Sequence, residues 1–86
     1  MLESVRLSLR ITNNAFDEEI KELINSCKSD LKLAGVSKIK NNDPLILRAV
    51  TLYAKGHFGF ADMGEKYIQA YDMLKMSLSL AGDYTQ

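Results

Sequence analysis

The sequence predicts an all-α protein, a small helical bundle of three main helices plus a short N-terminal helix. Three observations favour this class. Apolar residues recur at steps of three and four along most of the chain, the spacing of a buried helix face. Proline, glycine and polar capping residues stand where such helices would begin and end. No segment alternates apolar and polar residues over enough length to predict a strand.

The composition indicates a single domain over residues 1–86. About 47% of the 86 residues are hydrophobic, enough for a compact core without disulfides or metal. The one cysteine, Cys27, cannot form an intramolecular disulfide, and no Cys/His cluster has metal-ligand spacing. No apolar run approaches a membrane span, and the first residues lack a signal-peptide core. We expect a protein of a reducing compartment, with no metal, cofactor or membrane partner.

The first predicted helix runs from Leu2 to Ile11. Its apolar residues share one side, while Arg6 and Arg10 lie four positions apart on the other face. A helix this short is marginal alone and forms only by packing. The polar residues that follow it, Thr12–Asn14, favour turns and helix caps.

The second predicted helix runs from about Ala15 to Ala34. One apolar stripe follows its length: Phe16, Ile20, Leu23, Ile24, Cys27, Leu31 and Ala34. Acidic residues fill its first turn, where the helix dipole favours them, and Asp17 precedes Lys21 by the four residues of a helical ion pair. The predicted end is a Schellman motif in which Gly35 is left-handed and Val36 folds back.

The central helix is predicted from Asp43 to Phe60, after a polar connection, Ser37–Asn42, whose Ile39 turns inward. Asp43 can cap the helix, and Pro44 suits its first position. Its apolar residues cover more than one stripe, so other helices must surround it: Leu45, Ile46, Ala49, Val50, Leu52 and Tyr53. Gly56 either permits a close backbone approach or begins the end of this helix.

The last predicted helix spans about Met63 to Ala81, with a capping box from Asp62 to Glu65 and a C-terminal glycine at Gly82. It carries two apolar stripes. The first contains Tyr67, Tyr71, Leu74, Leu78 and Ala81, and the second contains Met73, Met76 and Leu80. One stripe is enough to pack on the central helix, so the second exceeds what a small monomer needs.

Catalytic residues are scarce. His57 is the only histidine, and its position favours a helix-end or core-edge role over that of a catalytic base. Cys27 lies on the apolar stripe of the second helix, where burial would raise its thiol pKa and make it unreactive. The acidic first turn of that helix is explained by the dipole. We therefore predict that the chain is not an enzyme.

A weak candidate for nucleic-acid contact is formed by Lys38, Lys40 and Arg48, near the start of the central helix. A solvated surface is the favoured interpretation of these residues, because 11 basic side chains balance 11 acidic ones and no aromatic residues interleave to stack bases. A small DNA-binding factor is the alternative.

The second stripe of the last helix, Met73, Met76 and Leu80, is the stronger candidate for function. Two interpretations are equally open. It is either a second core layer covered by the N-terminal helix, or a surface buried against a partner, for which adaptable methionines are suited. Tyr84 adds an amphipathic residue of the kind found in interfaces.

Three segments of the sequence resemble the phage head-tail connector family, whose members are also described as head-completion, adaptor or putative DNA-packaging proteins. They are LRIT followed by the acidic helix FDEEIKELINSCKSDL, the central DPLILRAVTLYAKGHFG ending in HFGF, and the ending EKYIQAYDMLKMSLSLAGDY. The likeness extends from about Leu9 to Tyr84. None of these segments is a catalytic motif.

The resemblance implies a structural component of the virion, assembled in the host cytoplasm. Such proteins form a ring, commonly of twelve copies, that docks under the portal and meets a stopper or tail-completion protein. DNA then passes through the channel without sequence-specific contact. A head-to-tail ring needs two patches on each subunit. The expected patches are the second stripe of the last helix and the first helix with Arg6 and Arg10.

Overall fold

The computed structural model describes residues 1–58 and 63–86, and it confirms the all-α prediction. Its helices are α1 (Leu2–Ser8), α2 (Asp17–Leu33), α3 (Pro44–His57), α4 (Gly64–Leu80) and α5 (Gly82–Thr85). The first four correspond to the predicted helices, and α5 is an additional single turn. Within the described residues no strand occurs.

The prediction of a central helix is confirmed, because α3 packs against α1, α2 and α4. The Asp43 side chain accepts hydrogen bonds from the amides of Leu45 at 2.8 Å and Ile46 at 3.4 Å, and Pro44 occupies the first turn. These bonds satisfy amides that the helix itself leaves unpaired. The buried residues of α3 are Ile46, Ala49, Val50, Leu52 and Ala54.

The end of α3 adjoins the beginnings of both α2 and α4. Phe16 and Phe58 meet edge to face with ring centroids 5.5 Å apart. At the neighbouring turn, a Cβ added to Gly64 would lie 3.3 Å from the carbonyl oxygen of Gly56. α2 and α4 are therefore both antiparallel to α3, and they run in the same direction as each other.

Gly56 permits a close approach and does not end the helix, which continues to His57. A Cβ on Gly56 would overlap the Ile68 side chain, whose Cγ1 would be 2.7 Å away. The start of α4 can lie against α3 only because this position has no side chain.

The predicted Schellman motif at the end of α2 is confirmed. Gly35 has φ +99°, and the Val36 amide donates to the Leu31 carbonyl at 3.0 Å. Val36 and Leu31 are both buried. The apolar stripe of α2 also forms as predicted, with Ile20, Ile24, Cys27 and Leu31 buried, and Ile39 in the following connection packs partly against the core.

Other boundaries differ from the predictions. α1 ends at Ser8 instead of Ile11, since Arg10 has a left-handed φ of 62° that a helix cannot contain. Gly82 does not end α4 in a left-handed conformation. Ala81 is extended there, with ψ 119°, and Gly82 starts α5. The predicted capping box at Asp62 and the last two residues of the predicted central helix lie outside the described residues.

Candidate functional site

Three apolar side chains are exposed along one side of α4. Met73 is 72% exposed, Met76 63% and Leu80 80%, and we call these three residues the outer stripe of α4. Tyr71 and Leu78 are only 2% exposed, because successive helical residues turn by about 100° and place these two on the opposite side. The outer stripe is therefore not a second core layer of the subunit. Its use as a contact surface stays a prediction.

The side of α2 that faces away from the core also carries an exposed apolar residue, Leu33, which is 88% exposed. A shallow groove of about 430 Å³ lies beside it. The residues that line this groove are Asn25, Ser26, Ser29, Asp30, Leu33 and Tyr53. Asp30 is the only charged member of the lining, so the groove presents a largely neutral surface.

A polar cluster joins α2 to α4 at the edge of this groove. The Tyr71 hydroxyl donates to Asp30 Oδ2 at 2.6 Å, and the Lys75 ammonium donates to the same oxygen at 3.0 Å. The bond from Tyr71 lowers the pKa of Asp30, and the bond to Asp30 raises the pKa of Lys75. Burial and then the bond to Asp30 raise the pKa of Tyr71. These two bonds favour the ionised form of the Asp30 carboxylate.

Sequence reasoning did not find this cluster. One signal was available, because Tyr71 falls on the buried stripe of α4 and a buried tyrosine hydroxyl needs an acceptor. The sequence could not identify Asp30 as that acceptor, since 41 positions separate the two residues.

The sequence predicted that Arg6 and Arg10 share a helix face. This prediction is wrong, because α1 ends before Arg10. Arg6 lies on α1 and its guanidinium bonds the Asp17 carboxylate at 3.2 Å, while its Nε is buried without an acceptor among the described residues. Arg10 follows the end of α1 and is exposed. Lys21, predicted to pair with Asp17, instead pairs with Glu18 at 3.3 Å.

The three candidate nucleic-acid residues are all exposed. Lys38 and Lys40 lie on the connection between α2 and α3, and Arg48 lies on α3. None of them forms an ion pair with the described part of the chain. They are available to a partner. Lys40 lies near the Asp43 carboxylate and helps to lower its pKa, and the backbone amide of Lys38 bonds the carbonyl of Tyr84.

Tyr84 has partners within its own chain. Its hydroxyl donates to both carboxylate oxygens of Asp43, at 2.9 and 3.1 Å, and its carbonyl oxygen accepts from the amides of Ser37 and Lys38. Ser37 Oγ also donates to the carbonyl of Gln86 at 3.0 Å. These bonds tie the end of the chain to the start of α3, an internal role that the sequence did not predict. A contact of Tyr84 with other subunits stays a prediction.

The two residues considered for catalysis, Cys27 and His57, lie on different helices and differ in exposure. Cys27 is fully buried, and burial raises its thiol pKa to about 12, in the direction the sequence predicts. His57 is the last residue of α3, and its ring lies 4.2 Å from that of Tyr53. Over residues 1–58 and 63–86, no three His, Cys, Asp or Glu side chains are placed to hold a metal. The described helices also include none with the length and hydropathy of a membrane span.

Similarity to known proteins is found at the level of a family. No curated protein and no solved structure matches the chain. The model of the family described as phage connector protein matches residues 1–85, nearly the whole sequence. The segments that resemble head-tail connectors lie within this match. The chain belongs to the phage connector protein family.

Proposed function

We propose that this protein is a ring-forming head-tail connector of a phage virion. Copies of the chain assemble in the host cytoplasm, dock beneath the portal protein and extend the DNA channel toward the tail. The opposite side of the ring receives the stopper or tail-completion protein. The protein works as a structural adaptor and catalyses no reaction.

The outer stripe of α4 is the observation that carries this proposal. Exposure of Met73, Met76 and Leu80 to water does not stabilise the isolated subunit, and contiguous exposed apolar surface is typical of interaction sites. Contact with another chain removes that apolar surface from water, and methionine side chains adapt to the shape of the partner. The family membership supplies the context, since a connector functions through contacts with other chains.

The energy available from this surface is modest. Complete burial of one such side chain stabilises a contact by about 1.5–3 kcal/mol, and the three are roughly two-thirds to four-fifths exposed. Together they contribute about 3–6 kcal/mol before the entropy of association is subtracted. A single pair of subunits is therefore expected to associate weakly. Ring closure, or a portal that holds subunits close together, supplies the remaining stability through effective concentration.

Light scattering coupled to size-exclusion chromatography, followed by electron microscopy with the cognate portal, tests the proposal. The expected results are a mass that rises with protein concentration and an added ring of density on the portal vertex. A protein that remains monomeric at high concentration and also leaves the portal unchanged contradicts the proposal.

DNA binding is the second candidate, and the exposure of Lys38, Lys40 and Arg48 is the observation that favours it. As a connector, the protein needs only non-specific contact with passing DNA. A packaging factor would instead retard duplex DNA in a gel, with an affinity that falls steeply as salt rises. The triple alanine variant at these positions should then abolish retardation. No retardation at low salt removes this candidate.

A further inference from the structure

We infer that the outer stripe of α4 in one subunit docks against the groove on the outer face of α2 in a second copy of the chain. The inference rests on the proposed self-assembly, and it assigns the two surfaces that make the contact. One surface is Met73, Met76 and Leu80. The other is the groove beside Leu33 and Tyr53.

Ring symmetry requires two different surfaces. If the outer stripe of α4 met the same stripe on another copy, the contact would be isologous and would close as a dimer. A ring forms only when one patch binds a different patch on the next subunit. The outer face of α2 qualifies as that different patch, since it belongs to another helix and exposes Leu33.

The first helix is a weaker candidate for the second patch. Arg6 already bonds Asp17 within the subunit, so an intermolecular contact would have to break that pair. Arg10 is exposed, but it lies in the turn after α1 and does not extend the face that carries Arg6. Leu7 on α1 is also exposed, at 58%, but Leu33 on α2 is more exposed, at 88%, and has a groove beside it, so the geometry favours α2.

Helix direction is compatible with this contact. α2 and α4 run in the same direction within a subunit, because both are antiparallel to α3. Neighbouring subunits in a ring of many copies are related by a small rotation about the ring axis. This rotation nearly preserves the direction of helices that run nearly parallel to the axis. α4 of one copy then lies roughly parallel to α2 of the next.

The distribution of charge along the two helices matches in this parallel arrangement. The outer stripe lies in the second half of α4, and Leu33 lies at the end of the groove on α2. The charge of Asp30 in that groove is already paired within the subunit, with Lys75. Each helix carries an exposed charge nearer its start, Glu22 on α2 and Lys66 on α4. Neither has an ion-pair partner within the described residues.

The spacing of these residues along the helix axis is nearly the same on both helices. Lys66 precedes Met76 by ten residues and Glu22 precedes Leu33 by eleven. At 1.5 Å per residue these separations are about 15 and 16.5 Å. When Met76 is level with Leu33, Lys66 therefore lies within about 1.5 Å of the level of Glu22. Lys66 is turned by about 80° around α4 from Met76 but by only about 20° from Met73, so it continues the Met73 side of the outer stripe. The apolar contact and the ion pair are compatible in this register.

Disulfide trapping between two singly substituted proteins tests the contact. Leu33→Cys and Met76→Cys are purified separately, one of them labelled with ¹⁵N, then mixed and oxidised at assembling concentrations. Mass spectrometry should find a disulfide-linked dimer that contains one labelled and one unlabelled chain. Cys27 does not compete, because it is buried with a thiol pKa of about 12.

Ser4→Cys provides the control, since Ser4 is exposed on α1 and outside both surfaces. Mixed with Met76→Cys, it should yield several-fold less mixed disulfide than Leu33→Cys does. Predominant Met76→Cys homodimers, or equal trapping by the Ser4 control, overturn the inference. If light scattering shows assembly while neither pair is trapped, the proposed ring stands and the assignment of surfaces fails. Monomer throughout, with no trapping and no ring added to the portal, overturns both.

A charge exchange tests the parallel register independently. Glu22→Lys and Lys66→Glu should each weaken assembly by about threefold to tenfold, because each places like charges together. The double variant should assemble within about twofold of the original protein, since the pair is restored with reversed signs. Losses that add in the double variant contradict the register.

Discussion

The hydroxyl of Tyr71 donates a 2.6 Å hydrogen bond to the carboxylate of Asp30, and this bond joins the last long helix to the second one. Lys75, one turn after Tyr71, bonds the same oxygen at 3.0 Å. The bonds from Tyr71 and Lys75 to Asp30 therefore determine how α4 lies against α2. They also fix the direction of the outer stripe of α4 relative to Leu33, which follows Asp30 by three residues.

Tyr71→Phe should destabilise the fold by about 1–2 kcal/mol. A hydrogen bond to a charged acceptor contributes roughly 1.5–3 kcal/mol, and the value is reduced here because the Asp30 side chain is 37% exposed and solvent screens it. Urea denaturation followed by circular dichroism measures the change. Tyr53→Phe is the matched control, because the Tyr53 hydroxyl bonds no described residue while its ring contacts that of Tyr71. Equal effects of the two substitutions would show that the Asp30 bond adds nothing.

Asp30 should also make the stability of the fold depend on pH in the acidic range. Its pKa is lowered in the folded protein, so it contributes stability that is present above its unfolded value, about 3.9, and is lost as the pH falls through the folded pKa. The Asp30→Asn variant should be less stable than the original protein at pH 7, and the difference should shrink below about pH 4. Urea midpoints measured from pH 7 to pH 2 provide the test. A difference that does not vary with pH excludes this role for Asp30.

Asp43 accounts for another part of the acid dependence. Partial desolvation acts to raise its pKa, but the bonds from the Tyr84 hydroxyl and the amides of Leu45 and Ile46 outweigh it and lower the pKa. The stability of the Asp30→Asn variant should therefore still decrease as the pH is lowered. The double variant Asp30→Asn/Asp43→Asn should lose less stability on acidification than the Asp30→Asn variant does.

The sequence predicted features that depend on neighbours along the chain. The cap of α3 by Asp43 and the left-handed Gly35 at the end of α2 both form as expected. Each arises within a few residues, where capping and backbone rules apply directly. The buried positions of α2 were predictable for the same reason, since helical spacing alone determines which residues share a face.

Features that depend on packing between distant segments were not predictable. Arg6 pairs with Asp17 across the turn between α1 and α2, and the left-handed φ of Arg10 ends the helix face that the two arginines were predicted to share. Tyr84 bonds Asp43 from 41 positions away. Helical spacing does distinguish the two stripes of α4. Only the tertiary structure of the subunit shows that none of the other described helices covers the stripe containing Met73.

Gly56→Ala should destabilise the protein although alanine favours helices. A new Cβ would lie 2.7 Å from Cγ1 of Ile68, too close for two carbon atoms, so the Ile68 side chain or the start of α4 would have to move. Overpacking costs about 1–3 kcal/mol, which exceeds the gain of about 1 kcal/mol in helix propensity over most of that range. Thermal unfolding measures the balance. In the Ile68→Ala background the same substitution should cost less, and a cost that does not change would place the strain elsewhere.

Tyr84→Phe should loosen the end of the chain. The amides of Ser37 and Lys38 donate to the Tyr84 carbonyl at 2.7 and 3.1 Å, and the hydroxyl bond to Asp43 holds that carbonyl in place. Without the hydroxyl, both amides should exchange hydrogen several-fold faster. Nuclear magnetic resonance measures each rate separately. Asp83→Asn, an exposed change in the same short helix, should leave the two rates unaltered.

Met76→Glu should abolish self-assembly and leave the subunit folded. Met76 is 63% exposed, so a charge at this position changes the free energy of unfolding by less than about 0.5 kcal/mol. In an assembled contact the same carboxylate would be buried without a partner, at a cost of several kcal/mol. Light scattering should then show only monomer, with an unchanged melting temperature. Ser4→Glu carries the same added charge on exposed α1 and should assemble normally. Assembly by Met76→Glu at the original concentration would show that the outer stripe of α4 lies outside the contact.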